Sequence, residues 1–119
     1  MRAAALALAG LALASCAGDR AEPQTFAGVY RIGFETQAFW PAEGGGPYWV
    51  EGDKASLAAL AGAVSKANGG LQWGGIAVEV EGLLSPPGKY GHLEAYGRSL
   101  RVTRVKATRP LDESLDTRG

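Results

Sequence analysis

The sequence has 119 residues, and its 12 Lys and Arg residues balance its 12 Asp and Glu residues, so the formal net charge is 0. This balance argues against nucleic acid as a partner and against a polybasic membrane-binding surface, because both require an excess of cations. A chain of this length forms one small domain at most. Its 18 glycines favour short strands and tight turns over a helical bundle.

The N-terminal segment has the layout of an export signal. Arg2 supplies a positive start, an uncharged apolar stretch covers Ala3 to Ala14, and the segment ends on Leu13-Ala14-Ser15-Cys16. An apolar stretch of this length is too short to span a bilayer and is typical of a signal peptide. The final Leu-Ala-Ser-Cys run resembles the lipobox of bacterial lipoproteins.

This resemblance implies a lipid anchor at Cys16, which is the only cysteine of the chain. In bacterial lipoproteins a diacylglyceryl group is joined to the cysteine sulfur. The signal, here residues 1–15, is then cleaved, and the new amine is acylated by a fatty acid such as palmitate. Because Ala17 rather than Asp follows the cysteine, the resemblance also implies sorting to the outer membrane, facing the periplasm. The alternative is an ordinary secretory signal followed by a free thiol, a liability in an oxidising compartment.

The chain after the signal divides into a tether, a domain and a tail. Residues 16–25 are mostly polar and lack an apolar period, which predicts a lipidated tether. Residues 26–107 carry the patterned segments and form the predicted folded domain. Residues 108–119 are charged and contain Pro110, which predicts a flexible tail.

The domain opens with apolar residues at every second position, which is the pattern of a β-strand. The residues that share this parity are Phe26, Tyr30, Ile32, Phe34, Thr36, Ala38 and Trp40. Gly33 marks either a bend in one long strand or a turn between two strands. Residues 41–47 are rich in Gly and Pro and form a loop, and Tyr48 to Glu51 form a short strand.

A helix is predicted next. Asp53 is a good N-cap residue, and Asn68-Gly69-Gly70 is a stop signal. Between them, apolar residues recur at helical spacing as far as about Ala67. The residues predicted to face the core are Leu57, Leu60, Ala61 and Val64.

Two more strands complete the predicted domain. The apolar residues Ile76, Val78 and Val80 alternate with Ala77, Glu79 and Glu81, which is the clearest strand pattern of the chain. Leu100 and Val102 begin the last strand. Its parity has shifted by Val105, which predicts a β-bulge near Thr103 or Arg104.

The predicted order is strand, strand, strand, helix, strand, strand. This order resembles the OB fold, a small five-stranded barrel with its helix between the third and fourth strands. Closing the barrel would also remove the exposed edges of the sheet. We therefore predict a mainly β protein with one helix and an OB-like barrel; the alternative is an antiparallel sheet packed on one helix. The mature part also resembles small Gly- and Trp-rich envelope lipoproteins of uncharacterised role.

Catalytic patterns are weak. Glu79 and Glu81 point to one side of a strand, as the paired carboxylates of a glycosidase do, but a solvated outer face has the same pattern. His92 and Glu94 form an incomplete metal ligand set, and a histidine in a loop hydrogen bond is the ordinary alternative. No phosphate-binding loop is recognised. We predict no catalytic residue, no metal and no cofactor.

The connection of residues 85–98 is the predicted contact surface, because it is long for a link between strands and combines aromatic and cationic groups. The candidate partner-binding residues are Tyr90, His92, Tyr96 and Arg98. Alternatively, the two tyrosines plug a barrel end. Trp40, Trp49 and Trp73 are either stacking surfaces for a sugar or peptide or buried core residues.

The sequence thus predicts a small binding or interaction module rather than an enzyme. Its expected partners are the membrane, through the lipid anchor, and an envelope protein or polymer, with nucleic acid excluded. A small envelope hydrolase is the alternative.

Overall fold

The computed structural model describes residues 22–111, which form a closed barrel of five strands and one α-helix. The elements are β1 (Gln24–Gly33), β2 (Thr36–Pro41), β3 (Tyr48–Gly52), α1 (Lys54–Ala67), β4 (Gly74–Leu84) and β5 (Ser99–Pro110). Around the barrel the strands follow the order β1-β2-β3-β5-β4. The predicted OB-like barrel is confirmed, and the alternative of an antiparallel sheet packed on one helix is wrong.

The barrel closes through one parallel pair. β1 pairs antiparallel with β2 on one side and with β4 on the other, and β4 pairs antiparallel with β5. β3 and β5 run parallel. A parallel pair needs a crossover connection, which α1 and β4 supply here.

A tight turn at Phe34 and Glu35 separates β1 from β2, so Gly33 ends a strand rather than bending one. The prediction that β2 keeps the parity of β1 is wrong. Across this two-residue turn Tyr30 pairs with Phe39. Even-numbered residues of β1 therefore share a face with odd-numbered residues of β2, and Phe39 fills the core.

The helix begins and ends where predicted. The Asp53 carboxylate accepts a hydrogen bond from the Ser56 backbone N–H at 2.7 Å. This bond, together with the Ser56 hydroxyl and the Arg101 charge, lowers the pKa of Asp53. At the other end the Asn68 N–H donates to the Val64 carbonyl at 3.0 Å.

The prediction of the buried helix face is wrong at one residue, Ala61. Leu60 and Val64 are buried as expected, but Ala61 is exposed and Ser56 is buried in its stead. The helix contacts the barrel along the row of residues spaced by four, from Ser56 through Leu60 to Val64, and this row turns Ala61 outward.

The core lies inside the barrel and under α1. Ile76, Val78 and Val80 of β4 are buried, as their alternation predicted. Tyr30 lies among them, and its hydroxyl donates to Gln37 Oε1 at 2.5 Å. Burial raises the pKa of Tyr30 above its ordinary value. The remaining buried members of the cluster are Phe39, Val50, Leu60, Val64, Leu100 and Val102.

The last strand confirms the predicted bulge. The register between β4 and β5 shifts twice, leaving Thr103 and Lys106 without direct partners. Such bulges bend a strand and help a sheet to close.

The barrel extends beyond the predicted domain at both ends. β1 begins at Gln24, within the predicted tether, and Thr108 to Pro110 pair with Val78 to Ile76, so the first residues of the predicted tail belong to β5. Strand pairing decides this, since composition alone favoured a loop. The predicted signal peptide, Cys16 and residues 112–119 lie outside the described residues.

Candidate functional site

Residues 85–98, called here the 85–98 loop, fold as a small hairpin on the outside of the barrel. The Tyr90 N–H donates to the Tyr96 carbonyl at 2.9 Å, and the Tyr96 N–H donates back to the Tyr90 carbonyl at 3.1 Å. A short 3₁₀ turn at His92–Glu94 forms the tip. The loop is therefore an ordered unit held by its own backbone.

The loop is attached to β3 through Trp49. The rings of Trp49 and Tyr96 lie 5.3 Å apart between centroids. The backbone of Gly91 lies so close to the indole that a Cβ there would come within 2.4 Å of it. On the other side of the loop, the Tyr96 hydroxyl and Thr36 Oγ1 share a 2.6 Å hydrogen bond. The loop thus lies against β3 and the start of β2.

Further polar contacts hold the tip and the base. At the tip, His92 Nε2 lies 3.2 Å from Glu35 Oε1 in the β1–β2 turn. At the base, one Arg98 Nη donates to the Ser85 carbonyl at 2.9 Å, and the Ser99 N–H donates to Ser85 Oγ at 2.8 Å. These bonds join both ends of the loop.

The four predicted partner-binding residues lie on one unit but differ in their surroundings. Three of them are engaged within the chain: Tyr96 with Trp49 and Thr36, Arg98 with Ser85, and Tyr90 through its hydroxyl with the Pro86 carbonyl at 2.8 Å. His92 pairs with Glu35 while much of its side chain stays exposed. The tyrosines belong to the outer surface, not to the buried cluster of the barrel.

An open cleft of about 510 Å³ lies beside the loop. One wall is the 85–98 loop, and the other is the β2–β3 connection at residues 45–48, with Thr36 between them. The second wall was not predicted. Its sequence signal was the run Gly44-Gly45-Gly46-Pro47, and Gly44 and Gly45 adopt positive φ angles that other residues seldom accept.

The tip of the loop carries a conformational outlier. Leu93 has φ 57°, in the left-handed region, and its side chain is 83% exposed. A large aliphatic residue rarely adopts this conformation. The backbone on both sides of Leu93 is hydrogen-bonded, from the Glu94 N–H to the Gly91 carbonyl at 3.0 Å and from the Ala95 N–H to the His92 carbonyl at 3.2 Å. As a result, the tip presents an apolar side chain to solvent at the mouth of the cleft.

The two carboxylates of β4 have partners of their own. Lys106 Nζ lies 4.0 Å from Glu79 Oε2 and 3.9 Å from Glu81 Oε2. All three side chains are partly exposed on the outer face. This is the arrangement of a solvated surface ion pair.

His92 and Glu94 lie in a 3₁₀ turn, so the spacing by which two strand residues share a face does not apply to them. Within residues 22–111, no group of three or more His, Cys, Asp or Glu side chains is placed to hold a metal ion.

No protein-family model, no curated protein and no solved structure matches the chain. Between residues 22 and 111, α1 lacks the length and apolar character needed to cross a membrane, as does the 3₁₀ turn.

Proposed function

We propose that this protein is a membrane-anchored envelope lipoprotein that acts as a small binding module. The 85–98 loop and its cleft are the contact surface for an envelope protein or polymer. The observation that carries the proposal is an ordered loop that forms one wall of an open cleft of about 510 Å³.

Preorganisation supports this role. The backbone bonds between Tyr90 and Tyr96, the packing on Trp49 and the Arg98–Ser85 bond fix the loop before any partner arrives. A fixed surface loses less conformational entropy on binding than a mobile one. The three engaged residues therefore shape the surface, whereas His92 and Leu93 are the side chains available to a partner.

The contact surface is tested by the double variant His92→Ala and Leu93→Ala. Substituting exposed residues leaves the Tyr90, Tyr96 and Arg98 contacts intact. We expect recovery of partners from envelope extracts to fall about tenfold, since the loss of a binding hot spot costs 1–2 kcal/mol or more. Recovery is measured by cross-linking, affinity purification and identification of the bound protein or glycan.

Glu79→Ala is the matched control, because it changes an exposed charge on the outer face of β4 and should leave recovery unchanged. If the folded double variant recovers the same partners at the same yield, the loop serves only the fold and the proposal fails. If the wild-type protein cleaves an envelope substrate and the double variant does not, the hydrolase alternative replaces it.

The anchor is supported by the lipobox-like run ending at Cys16 and by the absence of any other cysteine. Two or more acyl chains hold a protein on a membrane stably, whereas one does so only marginally. β1 begins at Gln24, eight residues after Cys16. At about 3.5 Å per extended residue, a lipid on Cys16 would hold the start of β1 within about 30 Å of the membrane.

Cys16→Ala tests the anchor. We expect the variant to accumulate as unprocessed precursor or to leave the membrane fraction, because the residue that receives the lipid is gone. Membrane fractionation and mass spectrometry of the N-terminus measure both effects, and Ser15→Ala serves as the control, since a small residue is kept before the cysteine. A variant that is cleaved normally and still fractionates with outer membranes would contradict the lipoprotein assignment.

A further inference from the structure

Left-handed backbone conformations are concentrated where the tip of the 85–98 loop meets the β1–β2 turn. Within the described part of the chain, the residues other than glycine with a positive φ are Glu35 at 56°, Leu93 at 57° and Glu94 at 56°. This region is unfavourable for residues with a side chain, because the Cβ approaches the backbone closely. His92 directly precedes two of these residues and pairs with the third, Glu35, at 3.2 Å. Left-handed residues of both segments therefore meet at one side-chain pair.

The tip is attached to the barrel less firmly than the rest of the loop. Farther down the loop, Tyr96 packs on Trp49. At the tip, Leu93 is exposed, and the polar contact that reaches the barrel is the pair of His92 and Glu35, whose side chains are 43% and 53% exposed. Strained backbone conformations cluster at switch regions, where they persist only while other contacts impose them. The His92–Glu35 pair is such a contact for the tip.

The strength of this pair depends on the protonation of the imidazole. Histidine is the side chain whose charge ordinarily changes between about pH 5 and pH 8. With the added proton, the His92 ring donates to the Glu35 carboxylate and also attracts it as an opposite charge. Without that proton the attraction between opposite charges is lost. The pair therefore holds the tip more firmly at the acidic end of this range.

Other charged groups surround the pair. The charged or titratable side chains near it are Glu94 in the same turn, Lys54 of α1, which lines a recess with Glu35, and, along the cleft, Tyr48, Tyr96 and Arg98. Among the residues that the structure describes, Glu35 is the carboxylate within ion-pair distance of His92. Glu94 has the same backbone conformation as Glu35 but is not paired with His92, which makes it a matched control.

We propose that His92 and Glu35 form a pH-sensitive latch on the tip of the 85–98 loop. As the pH falls and His92 gains its proton, the ion pair forms and holds Leu93 and Glu94 in their left-handed conformation. As the pH rises, the attraction weakens, and the tip populates relaxed conformations in which Leu93 leaves the mouth of the cleft. The effect on partner binding rests on the proposed function, whereas the movement of the tip does not.

NMR spectroscopy of the full chain between about pH 5.5 and pH 8 tests the latch. We expect the backbone signals of Leu93 and Glu94 to follow the same titration curve as the His92 ring. The ratio of closed to open tip should change about twofold to fivefold, which is the range of an exposed ion pair. In Glu35→Gln the tip signals should become nearly independent of pH, while Glu94→Gln keeps the wild-type response.

Two results would overturn the latch. One is a set of tip signals that does not follow the His92 ring. The other is a Glu35→Gln variant that keeps the wild-type response, or loses no more of it than Glu94→Gln does, because the signals would then report only the charge of the nearby ring.

Relief of the backbone strain gives a second measurement. Asparagine accepts the left-handed region more readily than leucine does. In Leu93→Asn the closed tip should therefore persist across the whole pH range, and the pH response of the Glu94 signal should shrink several-fold. A response equal to that of wild type would show that strain at Leu93 does not open the tip.

Partner recovery extends the test to the cleft. Because an ordered tip loses less entropy on binding, the wild-type protein should recover about twofold to fivefold more partner at pH 6 than at pH 8. Glu35→Gln should recover equal amounts at both. Equal wild-type recovery at the two pH values would contradict regulation of the cleft. Recovery of no partner at either pH would contradict the proposed function instead, and the NMR titration would still decide the latch.

Discussion

The Val78→Asp variant is expected to unfold the barrel. Val78 is 5% exposed in the middle of β4 and pairs with Gly28 of β1 and with Thr108 of β5. A carboxylate at this position would be buried among apolar side chains without a partner, which costs several kcal/mol. That cost is comparable to the whole stability of a small domain, about 5–15 kcal/mol. Far-UV circular dichroism and urea unfolding measure the effect.

The adjacent residue is the matched control. Glu79 lies on the opposite side of the same strand, partly exposed, with Lys106 at 4.0 Å. Because exposed ion pairs contribute little, Glu79→Ala should change the free energy of unfolding by well under about 1 kcal/mol. A Val78→Asp variant that unfolds at the same urea concentration as wild type would show that this side of β4 does not face the core.

The Gly91→Ala variant is expected to detach the 85–98 loop from β3 while leaving the barrel folded. Gly91 has φ 74° and ψ −160°, a backbone conformation that glycine alone commonly adopts and that costs another residue about 1–3 kcal/mol. In addition, the new Cβ would come within 2.4 Å of the Trp49 ring. Since Tyr96 also packs against that ring, the loop has to move.

Loss of the cleft follows from this movement. We expect the Trp49 indole and the Tyr96 ring signals to shift in NMR spectra, and partner recovery to fall as it does in the His92→Ala and Leu93→Ala double variant. Gly62→Ala on α1 is the control, because its Cβ would meet no atom of the described residues within 4 Å and it does not line the cleft. If Gly91→Ala kept both the Trp49 signal and full recovery, close packing of the loop would not be required for binding.

The β1–β2 turn makes contacts on both of its sides. Glu35 of the turn pairs with His92 of the 85–98 loop, and the preceding Phe34 stacks on Trp73. The effect of a substitution at His92 therefore has to be compared with that of a substitution at Trp73.

Much of the secondary structure was predictable because its signals are local. The alternation of Ile76, Val78 and Val80 placed the core face of β4, and Asp53 with Asn68 marked the ends of α1. The order of these elements was enough to predict the barrel, since few closed arrangements suit it. The candidate loop was found from its length and its aromatic and cationic content. The export signal and Cys16 also follow from local sequence, and they remain predictions outside the described residues.

Contacts between residues distant in the sequence decided the rest. The two-residue turn at Phe34 and Glu35 reversed the parity of β2, and pairing with β4 drew Thr108 to Pro110 into a strand although their composition favoured a loop. Packing against Trp49 made Tyr96 a support of the loop. The cleft exists only because the β2–β3 connection at residues 45–48 lies opposite the 85–98 loop. Each of these outcomes depends on strand register and side-chain packing between segments far apart in the chain, which no local pattern records.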